Sequence, residues 1–222
     1  MKGLLRTFLF RKFIHTFEGI IMFGLKSYTS NKNWKDLFRL FRNHRCEIDD
    51  SGDLRIGAAK VGGDYWVRGE NGLWVQGHNT GTYEGYNYIL RCVFGGNSPP
   101  AAMYLAPFAA NVTPLSTWTI AIWISTATEA TTTYSEATRQ AFVESTPADG
   151  STNNYSSPAT FTAASATTWY GFGVMNTATK GDSSTYPTQA LIAGAKFATA
   201  ESLSGAGAQL SIKYRYYLQP IA

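Results

Sequence analysis

The spacing of apolar residues changes once along this chain, near residue 46. Within Asn33–Arg45, Trp34, Leu37, Phe38 and Phe41 recur at i, i+3, i+4 and i+7. That is the apolar stripe of an amphipathic helix, with Lys35, Arg39 and Arg42 mostly off it. Ser30 or Asn31 can cap its start. Before it, Leu4, Leu5, Phe8, Leu9, Phe13, Ile14, Phe17, Ile20 and Ile21 keep a broadly helical period, which Gly3, Gly19 and Gly24 weaken. From Cys46 onward the period falls to two.

Asp49-Asp50-Ser51-Gly52-Asp53 reads as a turn, followed by a short strand through Leu54, Ile56 and Ala58. The clearest local signal is Asp64–Gln76, where two aromatic and β-branched runs flank Glu70-Asn71-Gly72. Asn-Gly supplies the positive φ angles of a tight hairpin. Tyr86, Tyr88, Leu90, Cys92 and Phe94 alternate with Asn87, Ile89, Arg91 and Val93, which predicts another strand. Asn97-Ser98-Pro99-Pro100 interrupts the pattern and is the candidate internal boundary. Beyond it, Trp118, Ile120, Ile122 and Ile124 are expected on one strand face. Further strands are predicted at Gln140–Glu144, Ala159–Ala163, Trp169–Met175 and Ala190–Phe197. In the last, Leu210, Ile212, Tyr214, Tyr216 and Leu218 alternate with Ser211, Lys213, Arg215 and Tyr217.

Short strands separated by turns predict a mostly β chain, an antiparallel β-sandwich of Ig-like or jelly-roll-like form. The expected organisation is a basic, partly helical arm over 1–46, a hairpin-rich region over 47–98 and the sandwich over 99–222.

Composition supports this reading. The 222 residues are 44% hydrophobic, so a core is available, yet only 15% charged, so the surface is built mainly from Ser, Thr, Asn and Gln. The net charge of +4 is uneven: residues 1–46 carry +8 and the rest −4. A mildly acidic body does not suit a broad nucleic-acid grip. The arm has two readings. Its stripe can pack on the body or a partner, or Trp34, Phe38, Arg39, Arg42 and Arg45 can dock it on an acidic surface: another protein, an anionic membrane or nucleic acid. Arg11 and Lys12 interrupt the first apolar run, so neither a cleaved signal nor a membrane span is expected. Met22 is an alternative start.

The side chains do not spell out a reaction. His15, His44 and His78 have no ligand spacing for zinc, and His78 reads as a turn residue. No nucleophile elbow accompanies it, and Gly57–Gly63 lacks the Lys-Ser/Thr of a phosphate loop. Asp49–Asp53 lacks the ligand spacing and the closing Glu of a calcium loop and reads as a plain hairpin turn. Glu70, Glu84, Glu129, Glu136, Glu144 and Glu201 could supply a glycosidase pair, but sequence pairs none of them. Cys92 is expected to be a buried thiol, and its pairing with Cys46 is open. Trp66 and Trp74 lie where they can share a strand face, with Tyr83 and Tyr86 (and Tyr88) close behind. These aromatics suit a sugar-stacking surface, a subunit interface or a core.

Tyr104-Leu-Ala-Pro-Phe108, Asn111-Val-Thr-Pro114, Ala141-Phe-Val-Glu-Ser145 and Asn154-Tyr-Ser-Ser-Pro-Ala-Thr-Phe-Thr162 come first in an ordered series. Ala166-Thr-Thr-Trp-Tyr-Gly-Phe-Gly-Val174, Thr179-Lys-Gly181, Gly194-Ala-Lys-Phe-Ala198 and the strand Leu210–Leu218 complete it. Over residues 102–218 this order resembles small β-sandwich virion proteins of tailed bacteriophages. The turn Ser204-Gly-Ala-Gly-Ala208 departs from the Gly-Asp expected there, and the first hundred residues lie outside the likeness. The resemblance implies a non-enzymatic structural protein of the virion: a capsid decoration protein, a head fibre, or a tail or baseplate component. It implies no catalytic residues and no cofactor. The partners expected are other virion proteins and copies of the chain itself; the alternative is an adhesin module binding host glycans.

Overall fold

The strict alternation at the end of the chain becomes the spine of one sheet. In order, the strands are β1 (Cys46–Ile48), β2 (Leu54–Ile56), β3 (Ala59–Arg68), β4 (Val75–His78), β5 (Thr80–Gly81), β6 (Tyr104–Phe108), β7 (Gln140–Ala141), β8 (Ser151–Asn153), β9 (Ala159–Thr162), β10 (Thr167–Met175), β11 (Leu191–Leu203) and β12 (Gln209–Pro220). The computed structural model describes residues 46–48, 54–56, 59–96, 98–184 and 186–220. The expected N-terminal helix, its docking residues Trp34, Phe38, Arg39, Arg42 and Arg45, the Met22 start and the Asp49–Asp53 turn lie outside the described residues.

All pairings are antiparallel. β12 runs against β3 from Ala59↔Pro220 to Arg68↔Ser211, using every residue of β3. The far edge of β3 takes β2 and β4 end to end, and the far edge of β12 takes β9 and β8 likewise. With β1 outside β2, this is the seven-stranded sheet; the other sheet has the order β5-β11-β10-β6-β7. Strands from either side of Ser98-Pro99-Pro100 thus share both sheets. Period-two alternation turns Tyr65, Val67, Phe161, Leu210, Ile212 and Tyr214 inward from one sheet. Leu105, Trp169, Phe172, Val174, Ile192 and Phe197 meet them from the other. The molecule is a β-sandwich, as its sequence pattern implies.

Trp169 and Phe172 are three residues apart, yet both point inward. The register slip between Trp169 and Gly171 makes that possible. The Tyr65 hydroxyl crosses the core to donate to the Lys196 carbonyl at 2.7 Å. Burial pushes its pKa up to about 12.

Two expected strands are helices. Tyr83–Phe94 is α1, with Gly85, Tyr88, Ile89 and Cys92 on its inner side. Thr82 caps it, accepting from the Gly85 N–H at 3.0 Å, and the Gly95 N–H closes it on the Arg91 carbonyl at 2.9 Å. The Thr82 hydroxyl also donates to the Leu191 carbonyl. A Cβ on Gly85 would strike the Ile192 backbone, so glycine lets the helix lie against β11. The second is α2 (Ile120–Ile122), which widens into a π-helical stretch over Trp123–Thr128. Ile120, Trp123 and Ala127 form its buried side on the outer face of the second sheet. Trp123 occupies the space over Gly173, where a Cβ would sit 2.7 Å from the indole.

Smaller expectations are corrected too. The Asn71-Gly72 turn is present, with Gly72 at φ 72°, but it sits in a longer connection from Gly69 to Trp74 instead of a two-residue hairpin. Cys92 is a free, half-buried thiol facing the Ser98 carbonyl at 3.7 Å, not a fully buried one. His78 ends a strand rather than making a turn.

Candidate functional site

Because Tyr65 and Val67 face the core, their neighbours on β3 must face out, and the same holds for β12. Register then assembles rows across the outer face of the seven-stranded sheet. One row is Gln76, Trp66 and Lys213; the next is His78, Asp64, Arg215 and Asn153; a third is Arg68, Ser211 and Thr160. In the second row Asp64 accepts from His78 Nδ1 at 2.8 Å and from the Arg215 guanidinium, a bridge across three strands. Arg215 also lies 5.4 Å above the Tyr217 ring.

The aromatic residues gather beside it. Trp66 meets Tyr155 edge to face at 5.1 Å. The Trp74 indole holds two cations, Arg68 at 4.7 Å and Lys213 at 4.4 Å from its centroid. Neither cation forms a salt bridge with a described residue. Burial raises the Tyr155 pKa, with Arg215 opposing and Asp64 adding to the shift. The face therefore offers the Trp66 and Tyr155 rings, two cations over Trp74 that have no salt bridge to a described residue, and the side-chain amides of Gln76 and Asn153.

Of the four aromatics singled out in the sequence, the fold puts Trp66 and Trp74 on one sheet face, with Lys213 opposite Trp66 and over the Trp74 ring. It places Tyr83 and Tyr86 elsewhere. Tyr83 is exposed in the first turn of α1, and Tyr86 is buried against Val61 and Tyr216. Tyr155 was not singled out. It follows β8, whose pairing with β12 brings it to Trp66, and no local pattern marks that contact.

The other titratable groups are tied into the scaffold. Arg139, fully buried, donates from Nε and Nη2 to the two Glu129 oxygens at 2.7 and 2.8 Å. Its guanidinium also reaches the Thr177 and Asp182 carbonyls, and the Gly181 N–H donates to Glu129. Lys180 lies 3.5 Å over the Tyr134 ring and donates to the Thr131 and Tyr134 carbonyls. Burial pulls its pKa down while Glu136 and Glu129 oppose the shift. Glu84 accepts from the Ile120 and Leu191 N–H groups, both at 2.8 Å, and Glu136 accepts from Thr162. Glu70 joins the hairpin tip to Ser204. These carboxylates serve as acceptors that fix backbone.

Among the described residues, no group of three or more His, Cys, Asp or Glu side chains is placed to hold a metal. No described helix is long and apolar enough to cross a membrane. Compared with protein-family models and with curated proteins, the chain matches none.

Proposed function

We propose that this chain is a structural component of a tailed-phage virion that works by assembling with copies of itself and with other virion proteins. The observation that carries the reading is the last turn of α1, where Val93 is 64% and Phe94 61% exposed beside the exposed Leu90. Apolar side chains grouped this way are covered at a favourable free energy by another protein surface. The likeness of residues 102–218 to phage sandwich proteins supports the same class. Edge strands of two to four residues limit strand-to-strand addition, so side chains and not sheet extension would make the joint.

Light scattering coupled to size-exclusion chromatography tests the assembly. A defined oligomer that dissociates in the V93E/F94E variant is expected. Mass spectrometry of purified particles made by the encoding genome is expected to find the protein. A strict monomer absent from those particles overturns the reading.

A second reading, a carbohydrate-binding module, is favoured by the Trp66–Tyr155 ring pair and Trp74 sharing one sheet face. It predicts glycan-array binding that Trp74→Ala removes while the fold survives. An array with no signal counts against it.

A further inference from the structure

We infer that the outer face of the seven-stranded sheet binds a saccharide that carries carboxylates. This rests on the carbohydrate-binding reading and adds the charge of the ligand. The region after residue 46 has net charge −4, yet where β3 pairs with β12 this face collects Arg68, Lys213 and Arg215 around the carboxylate of Asp64. Asp64 is already engaged by Arg215 and His78, which leaves Arg68 and Lys213 without an anion among the described residues. Both lie over the Trp74 indole, which draws the two charges to one place on the face. Cations over Trp74, with the Trp66 and Tyr155 rings on the same face, are complementary to a sugar that stacks on those rings and whose acid group pairs with the cations.

Two further features favour a saccharide over another polyanion. The Gln76 amide and the Asn153 amide nitrogen are uncharged polar groups at the same surface, suited to sugar hydroxyls. The excess positive charge is small and the surrounding body is acidic. That matches an acid group on each of a few sugar units. A nucleic acid, with a phosphate at every step, calls for a broader basic field.

The experiment is calorimetric titration of the full chain with oligogalacturonate, with its methyl ester, and with a single-stranded oligonucleotide of equal charge. Oligogalacturonate is expected to bind about tenfold tighter than the ester, with the difference fading as salt rises. R68Q/K213Q is expected to abolish that difference at an unchanged melting temperature, with the single variants each showing part of the loss. This comparison on the full chain separates the face from the +8 carried by residues 1–46. Equal binding of acid and ester overturns the inference and leaves the carbohydrate reading standing. Failure of both sugars to bind overturns the inference, and the glycan array then decides the carbohydrate reading. An acid preference that survives R68Q/K213Q places the site elsewhere. Tighter oligonucleotide binding that R68Q/K213Q removes replaces the saccharide with nucleic acid.

Discussion

Removing Arg139 would strand the Glu129 carboxylate in the interior. The guanidinium satisfies both carboxylate oxygens and two backbone carbonyls, joining the segment around residue 129 to the loop at 177–182. Arg139→Ala is therefore expected to lower unfolding stability by about 3–5 kcal/mol, measured by urea denaturation. Replacing the pair with apolar side chains (E129L/R139M) should recover only part of this, because the Gly181 N–H would lose its acceptor. Glu201 behaves oppositely. It is buried beside Gly69, and desolvation raises its pKa above the usual carboxylate range. A carboxyl with a raised folded-state pKa favours the fold when protonated, so its contribution is lost as pH rises through that value. Glu201→Gln is expected to raise the melting temperature at pH 7. The gain should vanish below the ordinary glutamate pKa, which a pair of thermal melts at pH 7 and pH 3.5 would show.

At the scale of elements, α1 depends on its first turn. Thr82→Ala removes both the acceptor for Gly85 and the donor to Leu191, so a loss of about 1–2 kcal/mol is expected from denaturation curves. Gly85→Ala should cost about 1–3 kcal/mol by pushing the helix off β11. The strand expected at Tyr86–Phe94 shows why this helix was hard to read. Aromatic and aliphatic residues occupy six of the nine positions there, so period two and period 3.6 both fit. The deciding marks were outside the run, Thr82 before it, Glu84 in its first turn and Gly95 after it. Trp118–Ile124 misled in the same way, because Ile120 and Ile124 satisfy either period while Trp123 fits only the helix. The sandwich strands were legible because their outer residues are polar, as in Leu210–Leu218. The same parity made Trp66 and Trp74 readable on one face. Tyr155 was not, since only the long-range pairing of β8 with β12 delivers it.

For the whole molecule the controlling feature is the place of β12. It lies between β3 on one side and β8 and β9 on the other, and it bridges residues as distant as Asp64 and Arg215, 151 positions apart. A chain truncated before Gln209 is expected to lose the cooperative thermal transition altogether, by calorimetry or circular dichroism, and not merely to lose an edge. Every strand that leans on β12 would be left with unpaired backbone and an open core. The central sheet thus acts as a test of completeness. Translation products that stop short of this strand would lack the partner of β3, β8 and β9, and are expected to be cleared by proteases that the complete fold resists.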